Sequence, residues 1–415
     1  MPTTSDDSGK TTTRCCIAGG GPAGMMLGFL LARAGIEVVV LEKHADFLRD
    51  FRGDTVHPST LEVLYELGLL EGFLKRKHQE VRQLSGYVGP YQVPIADLSH
   101  LPTHCKFVAL MPQWDFLNFM AESAEGYPSF HLMMESEAFD LIEDGGTIRG
   151  LRAKTKRGEI EIRADLTIAA DGRHSLMRER AGLEVMQLGA PIDVLWMRIS
   201  RKSGDPRQAL GRIDAGKFLV MLDRDEYWQC AYLIPKGGLD ALREKGLESF
   251  RDNIAGIAPF LADRVSELKE WDDIKLLSVA VDRLRRWYRP GLLCIGDAAH
   301  AMSPVGGVGI NLAIQDAVAA ANILAEPLSR NSASERHLEN IQRRRMFPTR
   351  ATQGLQILIQ DRVITPTLES TAKIQSLPLP LRLFRKMPVL RRIPARIIGI
   401  GFRPEHVALC RPSGA

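Results

Sequence analysis

Residues 14–35, RCCIAGGGPAGMMLGFLLARAG, constrain the fold more than any other stretch. The uncharged run from Cys15 to Ala32 is long enough to cross a bilayer. Its glycines argue otherwise. Each costs about 1 kcal/mol inside a helix relative to alanine, and Gly19, Gly21 and Gly24 fall in G-x-G-x-x-G spacing. CCIA reads as a short buried strand and GGGPAG as a sharp turn. A helix follows and ends at Gly35, a C-cap glycine. IEVVVLEK is a second strand, closing on Glu42. A strand-turn-helix-strand unit with an acid at its end is the context that makes this spacing a dinucleotide cradle. Gly19 allows the turn, Gly21 lets a pyrophosphate approach the backbone, and Gly24 permits close helix–strand packing. Pro22 and Ala23 open the helix, whose free N–H groups and dipole hold phosphate. Glu42 accepts hydrogen bonds from a ribose diol. The fingerprint alone does not separate NAD from FAD.

With 415 residues, the chain has length for two or three domains. Six cysteines are scattered without a CxxC pair, so neither a disulfide framework nor a metal site is expected. Cys15 and Cys16 read as buried packing. Residues 1–13 read as a frayed polar tail without the basic start of a secretion signal, and the cytoplasm is the expected location. A net charge of +4 is too small for a nucleic-acid binder. The basic excess is local. Between Ser370 and Pro404 stand Lys373, Arg382, Arg385, Lys386, Arg391, Arg392, Arg396 and Arg403, and no acid.

Two later stretches repeat the logic of the first. LTIAADGRHSLMR is a buried strand, a turn at Asp171-Gly172, and a helix start carrying Ser175 and Arg178. GLLCIGDAAHAMSPVGGVGINLAIQDA is a strand ending at Gly296-Asp297, then a glycine-rich loop and a helix from about Asn311. Its glycines allow close approach of backbone to a flat or anionic ligand.

The three motifs, in this order, resemble the single-component flavoprotein aromatic hydroxylases, the family of para-hydroxybenzoate hydroxylase. The resemblance covers roughly residues 10–80, 105–185 and 275–340. It implies an α/β fold: a Rossmann-like FAD-binding domain of glutathione-reductase type, an antiparallel sheet as substrate domain, and a C-terminal helical segment. It implies FAD, with the pyrophosphate at the first helix, the ribose on Glu42 beside Lys43, and contacts from Arg52 and Gln113. Asp297, with Gly296, matches the residue on the ribityl or phosphate side. Pro304, Gly307, Gly309, Ile310 and Asn311 match the loop and helix start facing the isoalloxazine. Asp171 matches a motif held to serve FAD and NAD(P)H, and Arg178 a structural position. The implied reaction is hydroxylation: NADH or NADPH reduces the flavin, dioxygen adds at C(4a), and the hydroperoxide delivers oxygen to an aromatic or polyketide-like substrate. No metal is needed. A reductase or dehydrogenase on the same scaffold, or a flavin-binding sensor without turnover, are the alternatives.

By this reading the FAD domain comprises 14–80, 106–185 and 276–340, and the substrate domain 81–105 and 186–275. The latter's alternating strands would roof the flavin, with Tyr87, Trp196, Met221 and Tyr232 as candidate pocket walls. No catalytic base is singled out. The segment 341–415 is read as helical, its later prolines excluding long helices. It either packs on the FAD domain or forms a basic amphipathic surface touching anionic lipid. The assembly expected is a monomer or homodimer.

Overall fold

Four strands position the site. The computed structural model describes residues 10–48, 55–206 and 210–408. Strands Leu292–Cys294, Gly158–Ala169, Lys10–Ala18 and Val38–Leu41 lie side by side in that order, all parallel, and Phe130–Met133 continues the set. Cys15, Cys16, Ile17 and Ala18 are wholly buried, as a strand covered on both faces requires. The first strand starts at Lys10, so residues 10–13 are not tail. The long strand Gly158–Ala169 extends far enough to pair Lys10 with Glu161 and Thr13 with Ala164. An antiparallel pair, Glu137–Asp144 and Thr147–Thr155, is added along that same long strand.

Helices Pro22–Arg33 and Gly309–Ser329 pack together over this sheet. Small side chains let them converge: a Cβ on Gly296 would stand 3.2 Å from both Ala23 and Ala313. The apolar run that opens the chain is thus a strand and a twelve-residue helix buried from Ala23 to Ala32, too short to span a membrane. The stretch Val305–Ser329 has the length and hydropathy of a span, but most of it is buried in the core.

The second sheet has seven strands, ordered Lys275–Leu277, Ile192–Ser200, Tyr227–Pro235, Lys217–Asp223, Leu210–Asp214, Gln83–Val88 and Tyr91–Asp97. It is antiparallel except where Leu210–Asp214 pairs in parallel with Gln83–Val88. That junction brings the segment near 81–105 into one sheet with the later insert.

The helical segment does not begin at 341. One helix runs Glu335–Ile359 across that boundary, with Pro348 buried inside it, and passes into a π-helical turn, Gln360–Ile364. The later prolines do keep the remaining helices short, at Leu379–Lys386 and Arg392–Gly399. The last of these buries Ala395 and Gly399. A Cβ on Gly399 would fall 2.5 Å from Leu101, 3.0 Å from Leu98 and 3.3 Å from Pro58.

Candidate functional site

The three motifs meet at one edge. Ala18, Ala169 and Cys294 are in register at the C-terminal ends of adjacent parallel strands, and Ala18 is also in register with Leu41. The loops that follow each strand therefore open into the same crevice, which is where open α/β sheets bind ligands. Backbone bonds seal the ends together: Gly19 N–H to the Leu41 carbonyl (2.8 Å), Ala170 N–H to Ala18 (2.8 Å) and Ile295 N–H to Ala169 (3.0 Å).

The glycines divide into two kinds. Gly19 has φ +110°, and a Cβ there would fall 2.3 Å from the Ala170 carbonyl oxygen. A Cβ on Gly24 would fall 2.0 Å from the Gly19 carbonyl oxygen. Both are demanded by the protein itself. Gly21 has an ordinary φ of −74°, and a Cβ there would meet nothing within 4 Å. Open space at a fingerprint glycine is what a ligand lying on the backbone needs. Pro22 occupies the first position of its helix, and no side chain caps that end. The helix from Gly309 is likewise uncapped. Two helix N-termini with free donors converge on Gly296, which suits a group with a pyrophosphate at one end and a reducible ring at the other.

Glu42 stands beside the first turn, accepting from the Gly20 amide (3.2 Å) and the His44 amide (3.1 Å). Lys43 is exposed next to it. Gln113 begins the helix Gln113–Glu125, and no hydrogen bond is made to its amide among the described residues. Asp297 is partly exposed, with the Arg173 guanidinium 3.9 Å away, which links the second and third motifs. These groups fit FAD: donors for its phosphates, a carboxylate for its ribose, and free polar ends between. Arg52 lies outside the described residues.

Asp171 is more committed than its motif implied. One oxygen accepts from the Ser175 hydroxyl at 2.5 Å and the other from the Met177 amide at 3.1 Å. It ties down the start of the helix Leu176–Arg180, with Ser175 capping the Arg178 amide. Burial raises its carboxyl above the ordinary range, and these hydrogen bonds oppose that. Arg178 is structural, donating to the carbonyls of Ala298 and Arg173.

Asn311 also turns inward. Its Oδ1 accepts from the His57 amide (2.9 Å) and the Thr60 hydroxyl (2.7 Å), and its Nδ2 donates to Thr55 (3.2 Å). Its side chain therefore staples residues 55–60, and only its backbone remains for a ligand. Gly307, at φ +64°, is held by the Thr55 hydroxyl on its carbonyl (2.9 Å). Pro304 opens this loop's single helical turn.

The His57 ring is buried, and its Nδ1 lies 2.6 Å from the Ile398 carbonyl. Burial pushes its pKa from 6.5 to about 4. The unfolded chain then takes up the proton first, so stability falls as pH drops from 6.5 towards 4. At 1.36 kcal/mol per unit the loss reaches about 3 kcal/mol. Urea unfolding at pH 7 and 4.5 should show a smaller acid loss in His57→Asn than in the parent. Equal losses would remove His57 from the account.

Two features behind the site were not read from the sequence. Gln353, Gln356 and Gln360 share one helical face and are buried. Gln353 donates to the carbonyls of Asp282 (2.7 Å) and Ala301 (3.0 Å), and Gln356 to those of Ser303 (2.8 Å) and Val305 (2.9 Å). Gln360 donates to the Ser303 hydroxyl (2.9 Å). The loop 301–305 hangs on these amides. The second feature is a buried charge cluster. Asp316 accepts from His300 (2.6 Å), Arg345 (2.8 Å) and the Gly296 amide (3.1 Å). Arg345 also reaches Glu405 at 3.3 Å. His300 and Arg345 hold the Asp316 carboxyl below its usual range against the pull of burial.

The candidate pocket walls split between the two faces of the second sheet. Met221 and Tyr232 lie under the far face, with Phe250 and Ile254 of the helix Leu247–Ile257, and Tyr87 packs against them. The Tyr232 and Phe250 rings stand 5.3 Å apart, and burial raises the Tyr232 hydroxyl to about 12. Met221 and Tyr232 are core and Tyr87 is half-buried against them, on the face opposite Trp196, because residues one apart on a strand face opposite ways. Trp196 is on the near face. It clusters there with Val194, Phe218, Val220 and Leu233, and with Val305 of the third loop. Phe218 and Val220 share the face that meets the loop; alternation separates them from Met221 but does not say which set does so.

The family model described as "FAD binding domain" matches residues 12–354. The 6-methylpretetramide 4-monooxygenase of Streptomyces rimosus is 32% identical over 381 residues, 91% of this chain and 90% of that protein. A probable FAD-dependent monooxygenase of Pseudomonas aeruginosa has a similar fold, with TM-score 0.74 and 22% identity over 86% of this chain and 97% of that one. So does the p-nitrophenol 4-monooxygenase of Pseudomonas putida, with TM-score 0.74 and 20% identity over 92% and 97%.

Proposed function

The chain belongs to the FAD-binding monooxygenase family, and from that premise we propose that it hydroxylates an extended, polyketide-derived aromatic ring system. One oxygen atom of dioxygen enters the ring, the other leaves as water, and NADH or NADPH supplies the two electrons. Bound FAD supplies the electron transfer and the activation of dioxygen. The protein's part is placement and shielding. The uncapped amides at the start of the helix Pro22–Arg33 would hold the pyrophosphate, Glu42 the ribose, and the helix start at Gly309 would favour negative charge on the reduced ring.

The observation that carries this reading is the apolar sheet face of Trp196, Phe218, Val220 and Leu233 against Val305. Val305 of the third loop packs in this cluster, so apolar side chains shield the loop from water; Ile359, Ile364 and Leu368 cover part of the face, and the half-buried Trp196, Phe218 and Val220 are the walls left for a fused-ring substrate. The similarity to a 6-methylpretetramide monooxygenase supports a substrate of that kind. FAD-loaded protein should oxidise NAD(P)H about tenfold faster with fused-ring phenols than with single-ring ones, with dioxygen consumed and a hydroxylated product formed. Equal stimulation by single-ring phenols would overturn the substrate class. FAD that no phenol induces to oxidise NAD(P)H would favour the reductase or sensor instead. Five buried, unpaired cysteines among the described residues suit a reducing cytoplasm.

A second reading concerns how a lipophilic substrate arrives. Leu379, Leu383, Met387, Val389 and Ile393 are exposed, interleaved with Arg382, Arg385, Lys386 and Arg392. None of these four cations is paired with a carboxylate among the described residues. Apolar tips within a cationic frame suit an anionic lipid surface. Removing residues 370–415 would be an unfair test, since it deletes the buried Glu405. Leu383→Asp with Val389→Asp should instead abolish flotation with vesicles containing phosphatidylserine while leaving FAD content unchanged. Flotation equal to the parent's would end this reading.

A further inference from the structure

An open cleft of about 660 Å³ runs between the strand end at Tyr288 and the long helix Glu335–Ile359, and an adjoining one of about 240 Å³ reaches Arg283 and Met186. Five arginines line them: Arg283, Arg285, Arg286, Arg343 and Arg350. Arg285 and Arg286 are paired with Glu184 and Glu335, and Arg343 with the Asn340 side chain. Arg283 and Arg350 have no carboxylate partner among the described residues. Arg283 donates to Gln353 at 3.1 Å, and Arg350 makes no side-chain bond among the described residues. Burial and then the Arg350 charge lower the Arg283 pKa. Both guanidinium groups line the smaller cleft, where a bound dianion would offset their like charges. Glu339 is the one carboxylate in the lining.

The cleft also has flat apolar surface. Phe347 is 59% exposed at the rim; behind it Tyr288 is buried, with the Arg286 guanidinium 4.5 Å from its ring centre. The strand carrying Arg283, Asp282–Leu284, is bonded to the flavin-motif loop through Leu284 N–H to Ala299 (2.8 Å) and Ala301 N–H to Asp282 Oδ1 (3.2 Å).

We propose that this cleft binds the phosphate of an adenine nucleotide, with Arg283 and Arg350 on the phosphate and the exposed Phe347 ring beside the base. The nucleotide has two sources: the adenosine end of the reducing dinucleotide, or a separate free nucleotide. Recognition of a phosphate by two guanidinium groups, with an aromatic face for the base, is the same chemistry for both.

The test is calorimetric titration of the FAD-loaded protein with 2′,5′-ADP, 5′-AMP and inorganic phosphate. At least one nucleotide should saturate below about 10 mM and bind more tightly than inorganic phosphate. Arg350→Gln should weaken it about tenfold or more, and Arg283→Gln likewise. Arg350 makes no side-chain bond among the described residues, so its variant should keep the fold; FAD absorbance and melting temperature check that. Arg343→Gln, also at the surface, gives a second reading of the same site. No saturation, affinity equal to inorganic phosphate's, or an unchanged affinity in all three variants would overturn the proposal. The kinetic arm separates the sources. A raised KM for NAD(P)H at unchanged kcat in Arg350→Gln assigns the site to the reductant, and an unchanged KM with lost nucleotide binding assigns it to a free nucleotide. Only this arm rests on the monooxygenase reading, so failure of that reading leaves the titration standing.

Discussion

Gly24→Ala is expected to yield protein without FAD and with a folding defect. The added methyl carbon would lie 2.0 Å from the Gly19 carbonyl oxygen and 3.2 Å from Ile17 Cγ2. The obstacle is backbone, and it cannot step aside. Gly19 is at φ +110°, its own Cβ position blocked 2.3 Å from the Ala170 carbonyl, and its N–H is engaged with Leu41 at 2.8 Å. The helix must lift instead, at a cost of about 1–3 kcal/mol or more, and its free amides leave the crevice. Gly21→Ala is the control. With φ −74° and no atom within 4 Å of the new carbon, its FAD-free form should melt like the FAD-free parent yet it should retain little FAD, because only the ligand is obstructed. Absorbance at the flavin bands per mole of purified protein, with thermal melts, reads both. A yellow, normally melting Gly24→Ala would contradict the packing described, and a fully yellow Gly21→Ala would move the pyrophosphate elsewhere.

Arg345→Ala is expected to cost about 3–5 kcal/mol of unfolding free energy, the usual loss when one partner of a buried ion pair is removed. Asp316 and Glu405 have side chains at 0% exposure, and Arg345 stands between them at 1%. His300 and Arg344 remain as partial partners, which keeps the loss within that range. A domain with roughly 5–15 kcal/mol in hand would be left near its limit. Urea unfolding of the parent and variant measures this, and a loss below about 1 kcal/mol would show that the cluster is not held by its charges. Because Asp316 also accepts the Gly296 amide, FAD affinity should fall alongside.

Some features were legible because they have one physical solution. A buried alternation-free strand, glycines that only a tight turn needs, and an acid at the next strand's end leave little choice, and the three motifs did converge on one crevice. What was missed depends on tertiary context. Period-2 alternation identifies two faces of the roof sheet, but Met221 and Val220 are equally apolar, and only the position of helix Leu247–Ile257 makes Met221 core. Asp171 and Asn311 sit where the family motif has functional residues, yet their side chains are drawn into local bonds. Residues 10–13 look polar and loose in the sequence; the pairing of Lys10 with Glu161 depends on a partner more than a hundred residues away. The glutamine spacing 353, 356, 360 was visible as a polar stripe, and a polar stripe on a helix ordinarily faces water.

The cluster around Asp316 also sets a clock on biosynthesis. Lys10–Ala18 is made first, its parallel neighbours at 158–169 and 292–294 much later, and Glu405 later still. At about 5–20 residues per second the ribosome needs roughly 20–80 s to travel from the first of these to the last. Arg345 appears only near the end of that interval and waits roughly 3–12 s for Glu405, whereas the first strand waits far longer for its own neighbours. The nascent domain is therefore at its most vulnerable to proteases and aggregation while still tethered, and cofactor capture is a late event in the life of each chain.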